Sequence, residues 1–129
     1  MSQSPEFAPP KRAGLAHLWA AAGYSAGGLI RLAKEAAFRH EAVAGVGLVA
    51  AYATMDVTAA IRLSAAILFL VLIAMEAVNT AIEEIINRIS PEVSDTARHA
   101  KDLGSLAVFC LISANSILLL YALAVHLQV

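Results

Sequence analysis

The sequence predicts an all-α membrane protein, with an N-terminal amphipathic surface helix followed by three transmembrane helices. Three observations carry that prediction. Hydrophobic residues make up 60% of the 129 residues and mean hydropathy is +0.72, well above ordinary globular usage. Charge is crowded into Lys11–Glu41 and Glu76–Asp102 and is nearly absent elsewhere, although the net charge is only -1. Three apolar stretches, Ala42–Ala53, Ala59–Val78 and Leu103–Val125, are separated by short polar connections. The charge pattern also argues against a nucleic-acid partner, because no basic stripe stands clear of acids. The single cysteine, Cys110, lies in an apolar run and reads as packing, so one chain carries no disulfide framework.

Residues 1–12 are polar, contain Pro5, Pro9 and Pro10, and read as a disordered tail without a signal peptide. Residues 13–34 read as the surface helix region. Leu15, Leu18, Trp19 and Ala22 share one helical face, and Leu29, Ile30 and Ala33 form a second apolar patch. Gly23, Gly27 and Gly28 interrupt the middle, so two short helices with a bend are expected. Lys11, Arg12, Arg31 and Lys34, with Trp19 and Tyr24, suit the headgroup layer. A surface anchor is the plain reading of this region, and a lid over a site is the sharper one.

Residues 35–129 hold the three-helix transmembrane domain. The first apolar run is too short to cross a bilayer by itself. Begun at Glu35, the helix reaches about 18 residues by Tyr52, enough if its charged first turn stays at the interface. Gly45, Gly47 and Ala51 let a neighbouring helix approach closely. After the turn at Met55–Thr58, Ala59–Val78 forms the second span, with Arg62 near its start, where it reaches the interface. Ile89-Ser90-Pro91 stops that helix, and Ser94, Asp95 and Thr96 offer N-caps for the next. In the third span, Leu103–Val125, Ser113, Asn115 and Ser116 suit hydrogen bonds between helices.

Orientation follows from the basic residues. Lys11, Arg12, Arg31, Lys34 and Arg39 precede the first span, and Arg88, Arg98 and Lys101 flank the second connection. The first connection has only Arg62 nearby. The positive-inside rule then places the N-terminus and the Ser90–Thr96 connection in the cytoplasm, the protein being multi-pass in the cell inner membrane. The clustered acids fall on that same side.

Ala74–Arg88 is the polar end of an otherwise apolar helix, with three acids and two asparagines where lipid-soluble sequence would continue. Glu76, Asn79 and Glu83 are spaced i, i+3, i+7. Glu83 therefore returns to within about 20° of Glu76, and Asn79 lies about 60° away. Glu76 comes roughly 25 Å along the helix from Ala59 at its standard rise, close to the far edge of the hydrocarbon core. Carboxylates can stay ionised there while lipid lies one turn away.

Three groups converge on the cytoplasmic side by topology: Glu35 with Arg39; Glu76, Asn79, Glu83 and Glu84; and His99, Lys101, Asp102 and Ser105. Carboxylates near a lysine suit phosphoryl transfer. A divalent metal takes one or two carboxylates plus phosphate oxygens, a hydroxyl acceptor needs a general base, and a lysine offsets phosphate charge. Neither a Gly-x-x-x-x-Gly-Lys-Ser/Thr loop nor the protein-kinase motif set is present. From the residues alone, a kinase, an ion pathway and an assembly element all stay open.

Four blocks carry a resemblance. They are Ala21-Ala-Gly-Tyr-Ser25, Glu35-Ala-Ala-Phe-Arg-His-Glu41, Glu76-x-x-Asn79-x-Ala-Ile-Glu83 and Ala100-Lys-Asp-x-Gly-Ser105. Together they resemble the small bacterial diacylglycerol kinases, integral membrane proteins, over about Ala21–Val125. The Glu-Ala-Ala-Phe-Arg form looks like the Gram-negative type more than the Gram-positive relatives that phosphorylate undecaprenol. The resemblance implies a homotrimer with active sites shared between subunits. It implies transfer of the γ-phosphoryl of MgATP to the hydroxyl of diacylglycerol, giving phosphatidic acid. Glu76 matches the general base, Asn79 a polar residue of the catalytic helix, and Glu35 and Glu83 the carboxylates that bind Mg²⁺. Tyr24, Lys101 and Asp102 match nucleotide contacts. Ser25, Ala37, Phe38, Arg39 and Ser105 fall where the lipid is held. An undecaprenol kinase and a small non-enzymatic ion pathway are the alternatives. Two features depart from the family pattern: His17 stands about where an arginine is common, and the segment between Ser25 and Glu35 is one residue shorter.

Overall fold

The computed structural model describes residues 14–90, 92 and 94–128, which form four α-helices and no strand. The disordered tail expected at residues 1–12 lies outside the described residues. The chain divides into two units, residues 1–31 and 32–129.

In the first unit, α1 (Leu15–Leu32) runs unbroken, in place of the two short helices and bend expected from its glycines. A glycine costs about 1 kcal/mol relative to alanine inside a helix, yet it keeps its backbone hydrogen bonds. Ala20–Ala22, Ala26 and Leu29–Leu32 surround the three glycines with good helix formers. Leu15, Leu18 and Trp19 are exposed along α1, as are Leu29 and Ile30.

The second unit holds α2 (Ala36–Thr54), α3 (Ala59–Ile89) and α4 (Asp95–His126). Glu35 stands at the start of α2 without a side-chain cap. Thr58 caps α3 by accepting a hydrogen bond from Ile61 N–H. Ser94 caps α4 by accepting from Ala97 N–H at 3.1 Å. Of the three residues expected to serve there, Ser94 is the cap, while Asp95 pairs with Arg98 at 3.1 Å. With α3 ending at Ile89, the break falls where the Ser-Pro step predicted it.

The helices α3 and α4 are long and apolar enough to cross a membrane. Only 17% and 11% of their most apolar windows are buried. Leu63, Ile67, Leu70, Leu106, Phe109, Ile117 and Leu120 all face outward. A core helix of a water-soluble protein hides such residues, so this exterior belongs in a bilayer.

Two contacts set the register of the α3–α4 hairpin. Asn115 Nδ2 donates to Leu68 O at 3.4 Å and to Leu111 O at 2.9 Å. Eleven residues along each helix, in opposite senses, Gly104 packs against the amide of Asn79. Asn115 thus makes the interhelical bond expected of it, whereas Ser113 and Ser116 bond back to Phe109 O and Ile112 O within α4.

Helix α2 lies antiparallel to α3, the ring of Phe69 filling the space that a Cβ on Gly45 would need. Arg62, exposed near the start of α3, also binds the end of α2. Its Nε donates to Tyr52 O at 3.2 Å and its Nη2 to Met55 O at 2.9 Å. It thus binds two carbonyls at the end of α2, the Met55 carbonyl also accepting from Val57 N–H at 3.1 Å. The C-terminal turn of α4 joins the same knot, since His126 Nδ1 accepts from Asp56 N–H at 2.9 Å. Tyr52, Met55, Val57 and Ala122 pack together there.

Candidate active site

The site grows from the face of α3 that looks into the bundle. Leu72, Glu76 and Thr80 follow one another at four-residue intervals and are all buried. Glu76 retains only 4% of its surface. It is an acid inside a helix whose other side is Val71 and Val78, both exposed. A carboxylate held in such a place gives up hydration and needs neighbouring polar groups to offset that loss.

Asn79 supplies part of the polar surroundings. Its Nδ2 donates to Glu83 Oε1 at 3.5 Å, while its Oδ1 is buried without a hydrogen-bond partner. Against that oxygen lies Gly104, where any side chain would collide with the amide. The glycine therefore makes room for Asn79, and Asn79 in turn steadies Glu83.

Other carboxylates gather on the same spot. Glu83 and Glu35 lie close enough to act electrostatically on Glu76, and Glu76 acts in the same way on Glu41. Register explains the approach of α2. Gly45 meets Phe69, and seven residues on, the Tyr52 carbonyl meets Arg62. The same step in the other direction brings Phe38 level with Glu76 and Glu35 level with Asn79. Like charges this close repel unless a cation or donor intervenes. Among the described residues no three His, Cys, Asp or Glu side chains form a metal cage. Two carboxylates flanking a buried acid still fit Mg²⁺, which takes one or two protein carboxylates and fills the rest of its shell with phosphate oxygens and water.

Glu41, which the sequence places in a charged turn, lies near this cluster. Its Oε2 is buried without a hydrogen-bond partner. Glu41 also lines an apolar groove of about 510 Å³ with Leu72, Phe69 and Asn115. One signal marked it in the sequence: positions one turn away on either side are Ala37, Phe38, Ala44 and Gly45, so no basic residue can pair with it along the helix.

Beyond Glu83 the connection between α3 and α4 forms a polar pocket of about 280 Å³, lined by residues that include Asn87, Ser94, Lys101 and Asp102. Ser90 Oγ lies 3.3 Å from Ser94 Oγ, and Lys101 Nζ donates to Asn87 Oδ1 at 2.8 Å. Ser105 is exposed on α4 beside Gly104. On the first turn of α2, Phe38 is half-buried, Ala37 is exposed, and Arg39 Nη1 donates to Lys34 O at 3.5 Å. Tyr24 and Ser25 are exposed on α1, in the other unit.

The model of prokaryotic diacylglycerol kinases matches residues 23–123. The chain belongs to the prokaryotic diacylglycerol kinase family. The diacylglycerol kinase match takes in α2, α3 and most of α4, and with them every candidate residue from Tyr24 to Ser105. A diacylglycerol kinase of a Sinorhizobium species is 50% identical over 111 residues, covering 86% of this chain and 81% of the relative. One from Escherichia coli K12 is 39% identical over 97 residues, covering 74% and 79%. One from Pseudomonas aeruginosa is 36% identical over 97 residues with the same coverage. Membership of the diacylglycerol kinases makes this chain a kinase, and with its apolar exterior it makes it a membrane enzyme.

Proposed function

We propose that the protein transfers the γ-phosphoryl of MgATP to the primary hydroxyl of 1,2-diacylglycerol, producing phosphatidic acid and ADP. One observation supports this most. In a member of the diacylglycerol kinase family, a buried carboxylate, Glu76, stands at the polar end of an apolar helix among further carboxylates. An oil-soluble alcohol and a water-soluble nucleotide can both reach such a place.

Glu76 is the general base. It takes the hydroxyl proton as the lipid oxygen bonds to the γ-phosphorus and the bond to the departing ADP oxygen breaks. Glu35 and Glu83 would hold the Mg²⁺, which when bound neutralises charge on the phosphate oxygens. Asn79 keeps Glu83 in place. Lys101, Asp102 and Tyr24 contact the nucleotide, and Lys101 offsets phosphate charge. Ser25, Ala37, Phe38, Arg39 and Ser105 hold the lipid, which enters sideways from the bilayer. Little covalent work falls to the protein, and catalysis rests on placement and charge.

In this reading α2, α3 and α4 each span the inner membrane and α1 lies on its surface. The N-terminus and the site face the cytoplasm. Three copies assemble, and neighbouring chains complete each site. Radiolabelled ATP offered to the detergent-solubilised protein with diacylglycerol, and with undecaprenol as competing acceptor, tests the reading. Labelled phosphatidic acid is expected. Label moving to undecaprenol would reassign the substrate, and no lipid product at all would remove the kinase reading.

A further inference from the structure

The polar face of α3 does not end at Glu83. Asn87 stands eleven residues beyond Glu76, which returns it to within about 20° of that residue on the helix surface. It lies one turn, about 6 Å, outward of Glu83. The same stripe thus presents an acid, an amide, an acid and a second amide in order from the apolar side. The second amide is engaged: its Oδ1 accepts the 2.8 Å hydrogen bond from Lys101 Nζ across the α3–α4 connection. Both residues line the polar pocket with Ser90, Ser94 and Asp102.

A lysine ammonium sits on a flexible four-carbon stem and has no preferred direction of its own. Lys101 springs from α4, whereas the acids it must work beside are on α3 and α2. Without an anchor on α3, its charge would sample positions over the whole mouth of the pocket. We propose that Asn87 is a positioning residue for nucleotide binding: it fixes the Lys101 ammonium in line with Glu76 and Glu83, one turn farther out. A polyphosphate whose terminal group lies at the Mg²⁺ that Glu35 and Glu83 would hold then meets the ammonium farther along its own length. This inference rests on the kinase reading above, because it gives Lys101 a nucleotide to hold.

The test measures the affinity of MgATP for the full-length detergent-solubilised protein by calorimetry, and in parallel the KM values for MgATP and diacylglycerol. Asn87→Ala should weaken MgATP binding about fivefold, the share of one hydrogen bond, and leave KM for diacylglycerol in place. Asn87→Asp keeps an acceptor oxygen at that position and should return affinity to within about twofold of wild type. In a Lys101→Ala background, Asn87→Ala should cost nothing further, since its effect passes through the lysine. Unchanged affinity in Asn87→Ala, or an equal loss with and without Lys101, would overturn the proposal. If MgATP binds but no variant, wild type included, phosphorylates lipid, the kinase reading fails while the binding ratios still decide the role of Asn87.

Discussion

Glu76 joins two demands that single side chains rarely meet together, deep burial and a charge-bearing group. On the proposed function, Glu76→Gln keeps the shape and removes the proton acceptor. Turnover should fall at least about 100-fold while the protein keeps its helical circular dichroism and its elution position in detergent. Retained phosphoryl transfer would show that another group takes the proton. Replacing Glu35 or Glu83 by Gln should instead raise the Mg²⁺ concentration needed for half-maximal rate, by about tenfold for the loss of one carboxylate. An unchanged Mg²⁺ titration would remove both from the metal. Gly104→Ala tests the support rather than the chemistry. The new methyl meets the Asn79 amide, so that amide must move and loosen its hold on Glu83. We expect a loss of about 1–3 kcal/mol in stability, measured by unfolding in mixed detergent, together with a lower kcat. Helical spacing alone put Glu76, Asn79 and Glu83 on one face of α3, and the roles proposed for them come from the family resemblance. Gly104 became part of the site only once α4 was laid against α3. For Glu41 the sequence shows only that no basic residue lies one turn away, and the burial of its unpartnered oxygen shows only in the folded chain.

Helix ends and helix contacts were legible to different degrees. Ser94 and the Ser90 stop follow from local rules, because capping and chain breaking depend on residues close in sequence. The continuity of α1 through Gly23, Gly27 and Gly28 was not foreseen, since a propensity penalty lowers stability without forbidding the helix. Arg62 was expected to reach the interface, and its hydrogen bonds to the end of α2 are an added role that shows only after α2 and α3 fold together. Asn115 is the clearest element-level device. It bonds a carbonyl of the neighbouring helix and sets the register in which Gly104 of α4 faces Asn79. Asn115→Leu should destabilise the α3–α4 hairpin by about 0.6–2 kcal/mol, the range for such bonds in membranes. The midpoint of unfolding should fall accordingly. An unaltered midpoint would mean that packing at Gly104 sets the register without it.

At the scale of the whole molecule, the sites proposed to be shared between chains can be tested by mixing. Chains carrying Glu76→Gln and chains carrying Tyr24→Ala are each expected to lose most of their activity. Dissociated and reassembled together, they should regain activity if one chain's base works beside another's Tyr24. No recovery, with mixed assemblies demonstrated by two affinity tags, would place each site within one chain.

The length of α3 has a consequence of its own. Its 31 residues make a helix of about 46 Å, longer than the hydrocarbon layer, and no break in the helix separates its apolar half from Glu76, Glu83 and Asn87. The acid cannot adjust its depth independently of the helix. When acyl chains around it lengthen or shorten, the helix must lean or slide, and the carboxylate proposed as the base is carried deeper into oil or lifted toward water. Host bilayer thickness therefore acts as a setting on the chemistry itself, and vesicles of graded chain length should show a rate optimum instead of a plateau.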